Sequence, residues 1–368
     1  MDSRTRVRNA IHRLPLDRIP RYDSFWEDTL SLWRAQGMPA DVPPEEFFDF
    51  DLRMMCIDAS LRREQKILAS DSSCVTFQDR AGYTARKFVG KSRALEWIDH
   101  VTKDRDTWNA LRRGFELDPN GPARIDVQSY FCHMTDYPSW PQAQQQYRAL
   151  RATGKYLVFN VYGPWEGTWR HRGYSNLLMD LAEDPAWVAE MAEAQNDSVL
   201  ACLRHCLALQ IQPDAVWLVD DLACTRGLLF SPRTWRQVFK PFYRRLGEFL
   251  HQHGISFWLH CCGDCRALLA DFIECGLDVL QPLQAQAGMD VRELKPAFGS
   301  HLTFWGNISA VKLAGDAQQC EAEIRDKIEF AKQDGGYMYH SDHSIPPEVD
   351  YRRYQWVMEL VEWHGRYS

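Results

Sequence analysis

From residue 155 onward, short apolar runs of β-forming residues alternate with longer helical stretches, and this alternation restricts the fold more than any other feature of the chain. The runs are Tyr156–Tyr162, Ala215–Val219, 255–259, 277–280, 302–305 and 337–339. Such runs, separated by amphipathic segments, are the pattern of βα units laid on a parallel sheet. The segments between them carry helix boundaries: Asp184-Pro185 and Ser231-Pro232 each set a capping side chain before a proline, and Gly254, Gly276 and Gly335 stand just before the next strand. Within 234–253, Trp235, Val238, Phe239, Phe242, Leu246, Phe249 and Leu250 recur at three- and four-residue spacing, so this stretch is a helix with one face on the sheet.

Upstream the pattern is weaker. Residues 6–12 read as a short helix and 19–25 as the first barrel strand, while 74–77 and 83–89, joined by a turn at Arg80-Ala81-Gly82, read as a hairpin. Residues 26–120 are expected to form a cap over one mouth of a single barrel domain spanning 1–368. A chain of 368 residues with 45% hydrophobic and 12% aromatic content can build one core of that size.

Composition also excludes some partners. A net charge of −7 and the lack of a basic tract give no field for gripping a phosphate backbone, so nucleic acid is not expected. The opening residues mix charged and apolar side chains, with neither a signal-type apolar stretch nor a membrane span, and a cytoplasmic location is the expectation. In that compartment the eleven cysteines stay reduced. Cys56, Cys74, Cys132, Cys202, Cys206 and Cys320 are scattered as small core residues are, whereas Cys261, Cys262 and Cys265 crowd beside a histidine.

In barrels of this kind the reacting groups gather at the carboxyl ends of the strands. The residues there are Tyr162, Trp165 and Glu166 after the first run, Asp220 and Asp221 after the second, and His260 and Cys262 after the third; Gln281 and Gln284 follow the fourth, Trp305 and Asn307 the fifth, and His340, Asp342 and His343 the sixth. His260 and Cys262 form a His-x-Cys pair. Side chains two apart on an extended backbone point the same way, so an imidazole and a thiolate can reach one soft cation. Zinc takes such a mixed set, and a catalytic zinc needs three protein ligands with a fourth position open. His343 is the expected third ligand, with Asp342 or Asp221 orienting a ligand imidazole from behind. A packed core pair at 260 and 262, with a loop histidine at 343, is the structural alternative. A zinc ribbon on Cys262-x-x-Cys265 fails for want of a second Cys-x-x-Cys.

Taken in order, several motifs resemble the uroporphyrinogen decarboxylase superfamily: Arg8-Asn9-Ala10 with Leu16-Asp17-Arg18-Ile19-Pro20, Gly163-Pro164, Asp220-Asp221 leading to Leu229-Phe230-Ser231-Pro232, His260-x-Cys262-Gly263, Gly306-Asn307-Ile308, and Asp342-His343-Ser344-Ile345-Pro346-Pro347. The resemblance covers nearly the whole chain and implies a (β/α)8 TIM barrel. One branch of the superfamily comprises metal-free decarboxylases, which hold substrate carboxylates with arginines of a Met-Arg-Gln-Ala-Gly-Arg segment. Here the matching stretch reads Tyr22-Asp23-Ser24-Phe25-Trp26, without that motif. The other branch comprises zinc-dependent, corrinoid-linked methyltransferases that bind zinc with His-x-Cys and a later cysteine. His260 and Cys262 match the pair, and His343 stands at the later cysteine's place.

What this implies is a zinc methyltransferase that moves a methyl group between a small molecule (a thiol, tetrahydrofolate, or a methoxy or methylamine compound) and cobalamin carried by a separate corrinoid protein. Asp220, Asp221 and Asp342 are expected to place or protonate the substrate, and Tyr162 and Asn307 to hydrogen-bond it. Glu166, Gln281, Gln284 and His340 are expected to bind it, and Trp165, Trp169 and Trp305 to line an apolar mouth. The superfamily contains monomers and dimers, which leaves a homodimer open. The rival readings are a metal-independent decarboxylase or lyase on the same barrel, and a binding module without turnover.

Overall fold

The computed structural model describes residues 1–127 and 136–367, the side chains of 92–94 excepted; Cys132 lies outside them. Among the described residues there are fourteen strands: β1 (Leu52–Ile57), β2 (Lys66–Ser70), β3 (Cys74–Gln78), β4 (Tyr83–Phe88), β5 (Lys91–His100), β6 (Ile125–Asp126), β7 (Tyr156–Tyr162), β8 (Ala215–Val219), β9 (Ala223–Cys224), β10 (Gly227–Leu228), β11 (Ser256–His260), β12 (Val279–Gln281), β13 (Thr303–Trp305) and β14 (Tyr337–Met338). The main sheet has the order β14-β13-β12-β11-β8-β7-β1-β6. Every pair in it is parallel except β1 with β6. The fold is therefore mixed α/β on a largely parallel sheet, and all six downstream runs are strands of it.

Side chains along these strands alternate between two cores. Leu157 and Phe159 of β7 join the large cluster under the helices, whereas Tyr156 and Val158 join an inner cluster with Ala215, Trp258, Val279, Trp305 and Met338. The helix Ser3–His12 adds Val7, Ala10 and Ile11 to that inner cluster and so plugs the amino ends of the strands. Asp51, fully buried, fastens this region: it accepts from Arg6 and Arg18 at 2.7 Å each and from the Arg21 backbone at 2.9 Å. A buried carboxylate is tolerated because its charge is paired in this way.

Three segments differ from the sequence expectation. Residues 19–25 form no regular strand; they run alongside β14 and β1 through single backbone contacts, Tyr339 N to Pro20 O at 2.8 Å, Tyr22 N to Tyr339 O at 3.2 Å and Asp51 N to Arg21 O at 2.9 Å. Pro20 interrupts any longer ladder, because proline has no N–H to give, and Ile19 N donates to Gly365 O instead. Within the stretch read as a cap, β1 belongs to the main sheet instead; it is buried nearly throughout, and such strands lose the alternation by which they are recognised. The expected hairpin is present as β3 and β4, inside an antiparallel sheet ordered β2-β3-β4-β5. The 234–253 stretch is two helices, Pro232–Val238 and Lys240–Gln252, broken at Phe239 before Pro241. Cys56, Cys202, Cys206 and Cys320 are buried and unbridged, and Cys74 is half-buried.

His171 ties the antiparallel sheet to the helix Pro164–Arg172. Its backbone oxygen accepts from Thr102 N, its Nδ1 pairs with Thr102 Oγ1 at 2.9 Å, and its ring stacks on Trp108 at 5.5 Å. Burial, helped by His100 and Arg172, pushes its pKa down to about 3. A depressed folded-state pKa gives stability that is full above the unfolded value near 6.5 and lost as pH falls toward 3. Urea unfolding of the parent is therefore expected to weaken across that window, by up to about 1.4 kcal/mol per pH unit from this group, and His171→Phe to remove that part of the slope. Parallel slopes for the two proteins would contradict the assignment.

Candidate metal centre

At the carboxyl end of β11 the chain leaves the sheet through His260-Cys261-Cys262-Gly263. Gly263 has φ +83°, and a Cβ there would meet the Ala223 and Cys224 backbone at 2.6 Å, so only glycine permits the turn. The turn sends alternate side chains to opposite sides. Cys261 goes into the core, where its Sγ accepts from Leu222 N at 3.4 Å. Cys262 turns back toward His260.

Among the described residues, Asp221, His260 and Cys262 form a group whose donor atoms all lie within 4.8 Å of one another. His260 Nε2 is 3.5 Å from Cys262 Sγ and 3.4 Å from Asp221 Oδ1, and Asp221 Oδ1 accepts from Cys262 N at 2.7 Å. Burial works against charging His260, but Cys262 and Asp221 more than offset it and raise its pKa well above that of a free imidazole. Burial likewise pushes the Cys262 thiol up while His260 pulls it down, and Asp221 falls below its ordinary value because His260 outweighs its burial. One imidazole nitrogen, one sulfur and one carboxylate oxygen facing a common point are the donors of a mixed zinc site.

A cavity of about 350 Å³ opens beside this group, lined by Trp26, Tyr162, Trp217, Gln281, His340 and His343 together with His260, Asn160 and Ser24. Among the described residues, no lysine or arginine lines it. His343, the third ligand expected from the sequence, is on this wall but outside the donor group; its ring stacks on Trp26 at 5.5 Å, and burial followed by the nearby His260 lowers its pKa. The third atom of the donor group is the Asp221 carboxylate oxygen. A larger cavity, about 780 Å³, lies at the opposite rim among Arg4, Arg8, His12, Asp214, His251 and Asp278, away from this chemistry.

The remaining expected residues divide. Tyr162, Gln281 and His340 reach the cavity. Glu166 is buried against Arg170 at 2.8 Å, and burial raises its carboxyl to about 7 against the pull of that guanidinium. Gln284 accepts from Gly263 N at 2.8 Å and so steadies the turn. Trp165 and Trp305 are fully buried, the first against Tyr174 and Phe230 and the second against Trp258 and Trp217, and neither lines the cavity; the lining indoles are Trp217 and Trp26. Trp169 is also buried, packed on Trp97 at 4.7 Å.

Three groups picked for chemistry serve the backbone. Asp220 accepts from Tyr243 Oη at 2.6 Å and from Glu166 N at 2.8 Å, and burial raises its pKa well above the usual carboxylate range. Asp342 accepts from Ala310 N and Ala285 N at 2.8 and 3.0 Å. Asn307 Nδ2 donates to the Leu283 and Met289 carbonyls, and its Oδ1 accepts from Val291 N at 3.0 Å. With all its side-chain capacity spent on loops, Asn307→Ala is expected to cost about 2–4 kcal/mol of unfolding free energy, since buried backbone groups lose their partners. Denaturant unfolding checks this; unchanged stability with lost activity would assign Asn307 to chemistry instead.

The solved structures that share this architecture include a methyltransferase from Methanosarcina mazei, with a TM-score of 0.63 and 13% identity over 99% of this chain and 97% of that chain. At that identity the likeness speaks to the fold. No curated protein sequence matches the chain. No helix among the described residues is long and apolar enough to cross a membrane. The profile of the uroporphyrinogen decarboxylase (URO-D) family matches residues 153–364, more than half of the chain and every strand from β7 to β14, so the chain belongs to that family.

Proposed function

We propose that this chain is a zinc-dependent methyltransferase that moves a methyl group between a small molecule and the corrinoid of a partner protein. The observation that carries the reading is the convergence of His260 Nε2, Cys262 Sγ and the Asp221 carboxylate at the edge of the cavity. His260, Cys262 and Asp221 would hold the ion, and His343 would face the substrate from the cavity wall nearby. Bound there, zinc supplies Lewis acidity, which keeps a thiol in its thiolate form at neutral pH or polarises the leaving atom of an ether or amine. Three protein donors leave a position for that atom.

The chain's own residues do the rest. Tyr162, Trp26 and Trp217 give aromatic walls that exclude water and orient a small apolar body. Glu166, with its carboxyl near 7, holds or releases a proton close to Asp221 and His260 at physiological pH. The matched fold supports an arrangement in which the sheet closes as a (β/α)8 barrel, residues 20–22 joining β14 to β1. A partner's corrinoid would then approach the open carboxyl rim, because the helix Ser3–His12 blocks the other. A polycarboxylate such as uroporphyrinogen is disfavoured, since among the described residues no lysine or arginine lines the cavity to pair with it.

Metal analysis joined to an assay of methyl transfer from methylcobalamin to thiols and to tetrahydrofolate tests the proposal. The expected result is close to one zinc per chain in the parent, with His260→Ala and Cys262→Ala both losing the metal and the transfer. A chain that purifies without zinc, cannot be loaded with it and decarboxylates a small acid would replace this reading with the metal-free one.

A further inference from the structure

We infer that Gln281 is a positioning residue that sets the tautomer of His260 and thereby the strength of metal binding, an inference that rests on the proposed zinc site. β11 and β12 are parallel and in register, with His260 directly beside Gln281. Gln281 Oε1 lies in hydrogen-bond contact with His260 Nδ1. An amide oxygen only accepts, so the proton sits on Nδ1. The neutral imidazole then presents a bare lone pair at Nε2, the atom that faces Cys262 Sγ and Asp221 Oδ1. Gln281 is 2% exposed, and its backbone oxygen accepts from Cys261 N at 2.8 Å, so its place beside the ring is fixed from both ends. The same residue therefore holds the first turn after β11 and the orientation of the ligand in that turn. An outer hydrogen bond of this kind raises the basicity of a ligating imidazole and stops the ring from rotating.

Zinc affinity measured by competition with a chromophoric chelator, on the full chain stripped of metal, tests this in the parent, Gln281→Leu and Gln281→Glu. Gln281→Leu removes the acceptor and is expected to weaken zinc binding by about 10- to 100-fold. Gln281→Glu keeps an acceptor at the same place and is expected to keep the affinity, and the cobalt(II)-loaded forms should follow, with a changed thiolate-to-cobalt band in the leucine variant alone. Leucine and glutamate variants that both bind as the parent does, or that lose affinity equally, would overturn the assignment. Nitrogen-15 spectra of the zinc-loaded parent's histidines decide the point without any variant: a His260 ring protonated at Nδ1 supports it, and one protonated at Nε2 contradicts it. A parent that takes up no zinc would remove the proposed function and this inference together, whereas a zinc-binding parent with an unimpaired leucine variant removes this inference alone.

Discussion

Parallel pairing sets His260 level with Val219 of β8 on one side and with Gln281 of β12 on the other, and the arrangement of the site follows from that register. Asp220 N donates to His260 O across the first pair, and Cys261 N donates to Gln281 O across the second. The acidic dipeptide that leaves β8 and the His-x-Cys that leaves β11 are thereby pinned at the same height. A slip of one residue would reverse every side chain, burying Cys262 and Asp221 and turning Cys261 and Asp220 outward. The large apolar cluster under the helices resists such a slip, because it takes only one face of each strand.

The site concentrates groups that a folding chain gains little by bringing together. Asp221 is held below its ordinary pKa in a partly buried place, chiefly by His260 against its own burial, while burial pushes the neighbouring Cys262 thiol up. Elsewhere buried carboxylates sit between cations, as with Asp51 between two arginines or Glu323 between Lys327 and Lys312. The contrast supports the proposed role of the His260 group, since clusters of titratable groups of this kind gather at functional sites at a cost in stability. Around it the structure spends polar groups on rigidity: Gln284 on the Gly263 turn, Asn307 on the segment after β12, Asp342 on the first residues of the short helices Ala310–Leu313 and Ala285–Ala287.

How much of this could be read from the sequence depended on the element. The runs that became β7, β8, β11, β12, β13 and β14 were legible because each is a short apolar stretch bounded by helix caps. β1 was not, since Leu52–Ile57 lies among irregular segments and carries an arginine and two methionines. The His-x-Cys pair was legible from its spacing alone. Which of Asp220 and Asp221 joins it was not: neighbours on a strand end face opposite ways, and only the register shows that Asp220 turns to Tyr243 while Asp221 turns to His260. Asn307 and Asp342 stand where reacting groups stand, yet their contacts are with loop N–H and C=O groups, a need that no composition signal reveals. Trp26 and Trp217 were missed as cavity walls because an indole in an apolar run looks like core, and Trp165 and Trp305, which were expected there, are core.

The central claim is that one imidazole, one thiolate and one carboxylate converge on a single ion. X-ray absorption at the zinc edge of the loaded protein addresses it most directly. The account predicts a shell with one sulfur at about 2.3 Å and the rest nitrogen and oxygen at about 2.0–2.2 Å. A shell with two or more sulfurs, or with none, would mean that the ion sits on other residues and would contradict it.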